Sequence, residues 1–322
     1  MISWLYLLAG LGLLYIGAQV LLKGGAGLAL RLGLNPLLVG LTIMAYGTSS
    51  PELVVSVNAS MQGNGSIALG NVVGSNICNI ALILGLCSLV TPLSASAQII
   101  RREIPVMIGV TAGFILMLLD GVVARWEGAL LLAGVVAYTW HTVVLARRDT
   151  AAAKAAEAEA EYAQDLPPAP PALGPAVGMI VGGLALLIGG SHAFVTGAVA
   201  LAKLWGVSDL VIGLTVVAVG TSMPELASSL VAAVRKHGDV AIGNVVGSNI
   251  FNVLGIVGVA ALLHPLDASG LSWVDLGIMF ALAAALLPVA RSGGRVNRWE
   301  GLVLLLVFVA YTAWLITSQS GG

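Results

Sequence analysis

The stretch GNVVGSNICN occupies residues 70–79, and it returns almost unchanged as GNVVGSNIFN at residues 243–252. Nine of the ten positions are identical, and the two copies begin 173 residues apart. Both copies place glycine, serine and asparagine inside long apolar segments, where a polar side chain is costly unless it has a partner. The repeated stretch therefore indicates a duplicated fold with a polar site in each copy.

The same offset relates other parts of the chain. GLTIMAYGTSSPEL at residues 40–53 aligns with GLTVVAVGTSMPEL at residues 213–226, with ten of fourteen positions matching. RWEG at residues 125–128 recurs at residues 298–301, again 173 residues later. A single offset without insertion predicts two homologous halves. We place the first half at residues 1–146 with its motif at 40–85, a connecting segment at 147–174, and the second half at 175–322 with its motif at 213–258.

The composition predicts an all-α integral membrane protein. Of 322 residues, 58% are hydrophobic and only 9% are charged, whereas a soluble domain carries about 25% charged residues. Residues 1–20 lack the basic start and the cleavage site of a signal peptide, so we interpret them as part of the first span. Ten apolar segments are long enough to cross the hydrocarbon layer as helices. They lie near residues 3–22, 36–60, 66–90, 103–120, 125–146, 175–200, 208–233, 239–264, 271–290 and 297–317.

The number of spans in each half predicts an inverted repeat. A unit of five spans that begins outside ends inside, so its copy crosses the membrane in the opposite direction. We therefore expect ten transmembrane helices arranged as two inverted five-helix repeats, with broken helices and an ion or substrate site at the midplane. Duplication without transport, or a channel, remains an alternative.

The positions of the basic residues predict the orientation. With the N-terminus outside, twelve of the fourteen Lys and Arg residues fall on the inner side, and only Arg125 and Lys203 fall outside. We expect both termini to face out from a bacterial-type inner or plasma membrane.

The connecting segment is rich in Ala, Glu and Pro and is predicted to be a solvated cytoplasmic tether. A calcium sensor is the alternative, although the residue spacing of an EF-hand is absent.

Two carboxylates lie where charge is hardest to accommodate. Glu52 and Glu225 are the only acidic residues in the middle of long apolar spans. An ionised carboxylate at the centre of a membrane helix costs roughly 2.5–3.5 kcal/mol on insertion scales. No Lys or Arg lies at comparable depth in any span, so bound cations or protons must neutralise the two glutamates.

The residues around each glutamate provide further oxygen ligands. Each glutamate follows Gly-Thr-Ser-x-Pro, and Pro51 and Pro224 are predicted to break their helices and free the carbonyls just before them. Thr48 lies four residues before Glu52, which places both on one helical face. The equivalent pairs at the same spacing are Thr221 and Glu225, Ser75 and Asn79, and Ser248 and Asn252.

An all-oxygen site without Cys or His suits a hard cation such as Na⁺ or Ca²⁺.

Glycines at small-xxx-small spacing let neighbouring helix backbones approach closely. We expect such close approach at Gly70, Gly74, Gly243 and Gly247.

These motifs resemble those of the calcium/cation antiporter superfamily, in particular its sodium/calcium exchanger family, over nearly the whole chain. Gly-Thr-Ser-x-Pro-Glu followed by Gly-Asn-x-x-Gly-Ser-Asn-Ile, present twice, is similar to the two alpha repeats of that family. The resemblance implies ten helices with the second, third, seventh and eighth broken. It also implies exchange of Na⁺ for Ca²⁺ by alternating access, with the first and sixth helices sliding across the others.

The resemblance also implies the ligands of the transported ions. They would be Glu52, Glu225, Thr48, Ser49, Thr221, Ser222, Ser75, Ser248 and Asn79, with the backbone carbonyls of Ala45 and Ala218. Exchangers of this kind often carry aspartate where this chain has Asn252, which we include as an amide ligand. The site would then offer two negative charges, enough to balance one Ca²⁺ or two Na⁺.

The expected function is therefore secondary antiport rather than enzymatic catalysis. A Ca²⁺/H⁺ or K⁺-linked antiporter of the same fold is the nearest alternative, and a cation channel is a more distant one. We expect no cofactor, with Ca²⁺ and Na⁺ bound as substrates, the lipid bilayer as surroundings, no nucleic-acid partner, and a monomer as the functional unit.

Overall fold

The computed structural model describes residues 2–32, 36–149, 173–206 and 218–320. In the first half the α-helices are α1 (Ile2–Leu32), α2 (Pro36–Val39), α3 (Ala45–Thr48), α4 (Ser50–Met61), α5 (Gly65–Ile77), α6 (Gly85–Val90), α7 (Ile104–Met117) and α8 (Arg125–Asp149). In the second half they are α9 (Leu173–Leu204), α10 (Ala218–Thr221), α11 (Met223–Val234), α12 (Gly238–Phe251), α13 (Gly258–Leu263), α14 (Trp273–Arg291) and α15 (Arg298–Ser320).

Shorter elements join these helices. Wider π-helical turns occupy Gly40–Met44, Cys78–Leu84, Ile99–Glu103 and Asn252–Val257, and a 3₁₀ turn occupies Leu118–Asp120. Four two-residue strands lie between helices, at β1 (Leu93–Ser94), β2 (Val122–Val123), β3 (Leu266–Asp267) and β4 (Arg295–Val296).

The predicted apolar spans largely coincide with helices. Within the described ranges, eight helices are long and apolar enough to cross a membrane, or nine when the bent pair at residues 37–61 is taken as one span. The first helix runs to Leu32 and the sixth spans Leu173–Leu204, so both are longer than predicted. The seventh predicted span, near 208–233, falls partly outside the described residues, and so do residues 150–172 of the connecting segment.

The predicted breaks occur in the second and seventh spans. Ser49 and Ser222 leave helical geometry with ψ of 9° each, and a proline follows two residues later in the first turn of the next helix. The two parts of the second span are bent by 44° at Ser49. The third and eighth spans, in contrast, are continuous at residues 65–90 and 238–263, so the expectation that they are broken is wrong. Neither contains proline, and each accommodates its polar centre by a π-helical turn instead.

The strand pairs show that equivalent helices run in opposite directions. β1 pairs with β4, and β2 pairs with β3, each pair joining one strand from either half of the chain. β1 and β2 lie before and after α7, whereas β3 and β4 lie before and after α14. The start of α7 therefore lies beside the end of α14, and the two helices are antiparallel.

The first and sixth helices, α1 and α9, pack against each other along a row of glycines. The contacts join Gly10 to Gly190 and Gly17 to Gly183, so residue numbers rise along one helix as they fall along the other. A Cβ atom added at Gly190 would lie 2.8 Å from the backbone nitrogen of Leu14, which leaves no room for a side chain. The glycines recur every seventh residue, which is close to two helical turns. They are Gly10, Gly17 and Gly24 on α1, and Gly183, Gly190 and Gly197 on α9.

The second glycine pair singled out from the sequence also permits close approach. A Cβ atom at Gly247 would lie 2.5 Å from the carbonyl oxygen of Leu41, and one at Gly243 would lie 2.9 Å from the side chain of Leu37. These glycines bring α12 against the first part of the second span, as the small-residue spacing predicted. The same expectation for Gly70 and Gly74 finds no contact, since no atom of the described residues lies within 4 Å of a Cβ atom at either position.

We expect Gly190→Ala to lower the free energy of unfolding by about 1–3 kcal/mol, because the added methyl group overpacks a backbone contact. Gly189→Ala is the matched control, since no atom of the described residues lies within 4 Å of a Cβ atom there. Thermal unfolding of the detergent-solubilised protein measures both variants. Equal stability of the two variants would contradict the close contact between α1 and α9.

Candidate cation site

Two buried glutamates lie directly after the helix breaks. Glu52 and Glu225 belong to the first turns of α4 and α11, and each side chain is only 1% exposed. A carboxylate in the first turn of a helix is favoured by the partial positive charge of the helix N-terminus. The break therefore places each glutamate at an electrostatically favourable position inside an apolar bundle.

Each half of the chain donates a hydrogen bond to the glutamate of the other half. Ser49 Oγ donates to Glu225 Oε1 at 2.8 Å, and Ser222 Oγ donates to Glu52 Oε1 at 3.1 Å. Ser49 and Ser222 occupy equivalent positions in the two halves, 173 residues apart. The crossed bonds bring both breaks and both carboxylates into one polar centre.

The two threonines predicted to be ligands lie in the same centre. Thr48 lies near Glu225, and Thr221 lies near Glu52, so each threonine neighbours the glutamate of the other half. The Thr48 hydroxyl donates its proton to the carbonyl of Met44 at 2.9 Å.

Four asparagines on α5, α12 and the π-helical turns that follow them form a second crossed arrangement. Asn79 Nδ2 donates to Asn249 Oδ1 at 2.9 Å, and Asn252 Nδ2 donates to Asn76 Oδ1 at 3.0 Å. Asn76 and Asn249 in turn donate to each other's backbone carbonyls, at 3.3 and 3.4 Å. Because their amide nitrogens are held in this way, Asn79 and Asn252 present their oxygens as free acceptors.

The centre contains unpaired oxygens. Glu52 Oε2, Glu225 Oε2, Asn79 Oδ1 and Asn252 Oδ1 are all buried without a hydrogen-bond partner among the described residues. One oxygen of each glutamate accepts from a serine and the other has no donor, so neither carboxylate is hydrogen-bonded to a basic side chain there. Buried acceptors without donors are rare and costly in proteins, and bound cations would be one way to satisfy them.

The predicted backbone ligand in the first half is not freed by the proline. The carbonyl of Ala45 keeps its helical partner, the backbone nitrogen of Ser49 at 3.1 Å, and also accepts from Ser248 Oγ at 3.3 Å. The expectation of a freed Ala45 carbonyl is therefore wrong in this structure, because the break begins only at Ser49. Ser75 is buried in α5, and Ala218 is the first residue of α10.

Sequence reasoning missed four asparagines that position the site. Asn76 accepts from the amide of Asn252, and Asn249 accepts from the amide of Asn79. Each of the two stands directly after one of the predicted serine ligands. Asn71 donates to the backbone carbonyl of Glu52 at 3.1 Å. Its equivalent, Asn244, donates to the hydroxyls of Ser228 and Ser229 at 3.1 and 2.9 Å. Their identity in both copies of the repeated stretch was the available signal.

Antiparallel equivalent helices and a buried cluster of oxygens, with no basic partner in the described part of the chain, are the features expected of a cation exchanger in a membrane. The sequence pattern of the family described as "Sodium/calcium exchanger protein" matches residues 2–144 and 175–317. The chain belongs to the sodium/calcium exchanger family, within the calcium/cation antiporter superfamily, and is a multi-pass integral membrane protein.

Relatives match over almost the whole chain. A protein named putative antiporter CaxA from Alkalimonas amylolytica is 39% identical to this chain. The alignment covers 99% of this chain and 100% of that protein. The sodium/calcium exchanger MaX1 from Methanosarcina acetivorans is 30% identical, with 96% of this chain and 97% of that protein covered. A solved structure of the sodium-calcium exchanger NCX_Mj, soaked with 2.5 mM Na⁺ and 0.1 mM Ca²⁺, superposes with a TM-score of 0.81 at 30% identity. That match covers 97% of this chain and 98% of the other.

We expect Asn249→Ala to weaken calcium binding about tenfold, because the Asn79 amide loses the acceptor that orients it. Asn76→Ala releases Asn252 in the same way and is expected to have a similar effect. Calorimetric titration of the purified protein with calcium measures both. Wild-type affinity in both variants would show that amide orientation does not matter for binding.

Proposed function

We propose that the protein exchanges Na⁺ for Ca²⁺ across the membrane by alternating access to this one site. The observation that carries the proposal is the set of four buried, unpaired oxygens, two from glutamates and two from asparagines. The proposed ligands are Glu52, Glu225, Thr48, Ser49, Thr221, Ser222, Ser75, Asn79, Ser248, Asn252, and the carbonyl of Ala218.

The chemistry of these ligands supports a hard cation. Carboxylate, amide and hydroxyl oxygens suit Ca²⁺ and Na⁺, whereas zinc and copper sites use Cys or His. Among the residues that the structure describes, no group of three or more His, Cys, Asp or Glu side chains could hold a metal. We propose that the ions are substrates and that the protein needs no cofactor.

Competition for one site accounts for exchange rather than uniport. Both ions would neutralise the same two carboxylates, so they would not occupy the site together. Without an ion, two charges would remain in a low dielectric, which raises the free energy of any state that excludes water from the site. An ion would then be needed for the change between outward and inward states, because only its binding offsets that free energy.

The architecture proposed for this mechanism is ten transmembrane helices in two inverted five-helix repeats, at residues 1–146 and 175–322. The antiparallel pairs α1 with α9, and α7 with α14, support the inversion. We place residues 147–174 in the cytoplasm and both termini outside, because this orientation puts most basic residues inside. We propose the monomer as the transporting unit, because each half supplies donors to the other half's glutamate within one chain.

The relatives support these ions. MaX1 is named a sodium/calcium exchanger, and NCX_Mj is described as a sodium-calcium exchanger in a structure soaked with both ions.

In sodium-loaded proteoliposomes, we expect an outward sodium gradient to drive uptake of labelled calcium, and Glu52→Gln and Glu225→Gln each to abolish it. Loss of either carboxylate leaves one negative charge for a divalent ion, which removes much of the attraction in a low dielectric. The initial rate of calcium uptake is the measurement.

Glu103→Gln is the matched control for this experiment. Glu103 is also a buried carboxylate, at 4% exposure, but it accepts from Tyr138 and Gln98 and is not among the proposed ligands. We expect this variant to retain uptake. Sodium-independent uptake that follows a pH gradient would instead identify a proton antiporter, and calcium flux without any counter-ion would identify a channel.

A further inference from the structure

A serine of helix α9 holds a carbonyl that has lost its helical partner at the break of the seventh span. In a continuous α-helix the carbonyl of Gly220 would accept from the backbone nitrogen of residue 224, but that residue is Pro224, which has no N–H. Ser191 is buried and supplies a donor instead, because its Oγ lies 2.6 Å from the Gly220 carbonyl oxygen. The bond ties α9 to the residue directly before Thr221 in the polar centre.

The equivalent position in the first half cannot form this bond. At the offset of 173, residue 18 of α1 corresponds to Ser191, and it is Ala18, which is fully buried and carries no hydroxyl. Pro51 removes the corresponding helical donor from the carbonyl of Gly47. The two halves therefore share the proline break but differ in the side chain that could bond to the carbonyl before it.

Helix α9 packs against both breaks, with Leu184 against Gly47 and Val195 against Gly220. The residue of α1 equivalent to Leu184 is Leu11, which is 44% exposed, whereas Leu184 packs against the buried core. Equivalent side chains of α1 and α9 thus have different surroundings. Such a difference is expected when the two halves of an inverted repeat adopt different conformations.

The symmetry of the proposed architecture relates this conformation to its opposite. When two inverted halves exchange conformations, a site open to one side of the membrane becomes open to the other. The contacts that α9 makes here would then be made by the equivalent residues of α1, which puts Ala18 beside the carbonyl of Gly47. A hydrogen bond present in this conformation would therefore be missing from the opposite one.

We propose that Ser191 is a positioning residue that biases the exchanger toward the conformation of this structure. The inference rests on the proposed function and adds a residue that sets the balance between its two states. Because the bond forms in one state and not in the other, it acts on the equilibrium between them. One buried hydrogen bond of this kind shifts such an equilibrium about fivefold.

The experiment compares calcium transport from the two faces of the membrane. Right-side-out and everted vesicles from cells that express the full chain each expose one face, and vesicles from cells without the chain give the background. Labelled calcium enters vesicles that are loaded with saturating unlabelled calcium. Under this condition the ratio of the half-saturating calcium concentrations at the two faces is proportional to the equilibrium constant between the two loaded conformations.

We expect Ser191→Ala to change this ratio about fivefold, because only one of the two conformations loses a bond. Ala18→Ser should change the ratio in the same direction by a similar factor, because its hydroxyl would donate to the Gly47 carbonyl in the opposite conformation. In the conformation of this structure, that hydroxyl can donate to a carbonyl of its own helix, as serines in helices do. The double variant should change the ratio about 25-fold.

Thr196→Val is the matched control, since the Thr196 hydroxyl donates within α9, to the carbonyl of His192 at 2.8 Å. This variant should keep the wild-type ratio.

An unchanged ratio in Ser191→Ala, or shifts of opposite direction in Ser191→Ala and Ala18→Ser, would overturn the role of Ser191 while leaving sodium/calcium exchange in place. If Ser191→Ala does not reach the membrane, an unchanged ratio in Ala18→Ser overturns it. Absence of labelled calcium uptake by the wild-type chain from either face, in sodium-loaded vesicles as well, would overturn the proposed function and this inference with it.

Discussion

The structure depends on burying two carboxylates that no basic side chain of the described residues neutralises. Such a group is costly in a low dielectric, and hydrogen bonds from neutral donors compensate only part of that cost. Serine hydroxyls satisfy one oxygen of each glutamate and leave the second oxygen bare. A fold that satisfied both oxygens internally would have no affinity for an ion, whereas one that satisfied neither would be hard to assemble. The observed arrangement lies between these limits.

The crossed hydrogen bonds make the site a property of both halves together. Ser49 belongs to the first half and donates to the glutamate of the second, and Ser222 does the reverse. The asparagines repeat this pattern, since Asn79 depends on Asn249 and Asn252 depends on Asn76. Any relative movement of the halves would therefore change the ligands of an ion directly. In the proposed mechanism, this geometry would link occupancy of the site to the conformation of the whole bundle.

Two kinds of helix irregularity position the ligands. In the second span, departure from helical geometry at Ser49 bends the chain by 44° and starts a new helix whose first turn holds Glu52. In the third and eighth spans, the helix stays continuous but widens into π-helical turns that begin at or next to Asn79 and Asn252. A π-helical turn contains an extra residue, so it shifts the direction of the side chains that follow, and such turns are frequent at functional sites.

The amino-acid sequence by itself determined the membrane location, the duplication, and the two glutamates in apolar spans for which we propose a cation. Those conclusions follow from composition, from one constant offset, and from the cost of charge in apolar spans, all of which are local or one-dimensional properties. The breaks at Ser49 and Ser222 were predictable for the same reason, because proline acts on its own helix. The continuity of the third and eighth spans was not predictable from the sequence, since glycine and asparagine permit a break in a helix without requiring one.

Only the tertiary structure decided which donors meet which acceptors. That Ser49 bonds to Glu225 rather than to Glu52, that Asn249 orients Asn79, and that the Ala45 carbonyl keeps its helical partner all depend on how the two halves dock. The contact of Gly17 with Gly183 likewise requires the antiparallel packing of two helices far apart in the chain. The spacing of residues along one helix defines a face, but the partner of that face is set by the packing of the whole bundle.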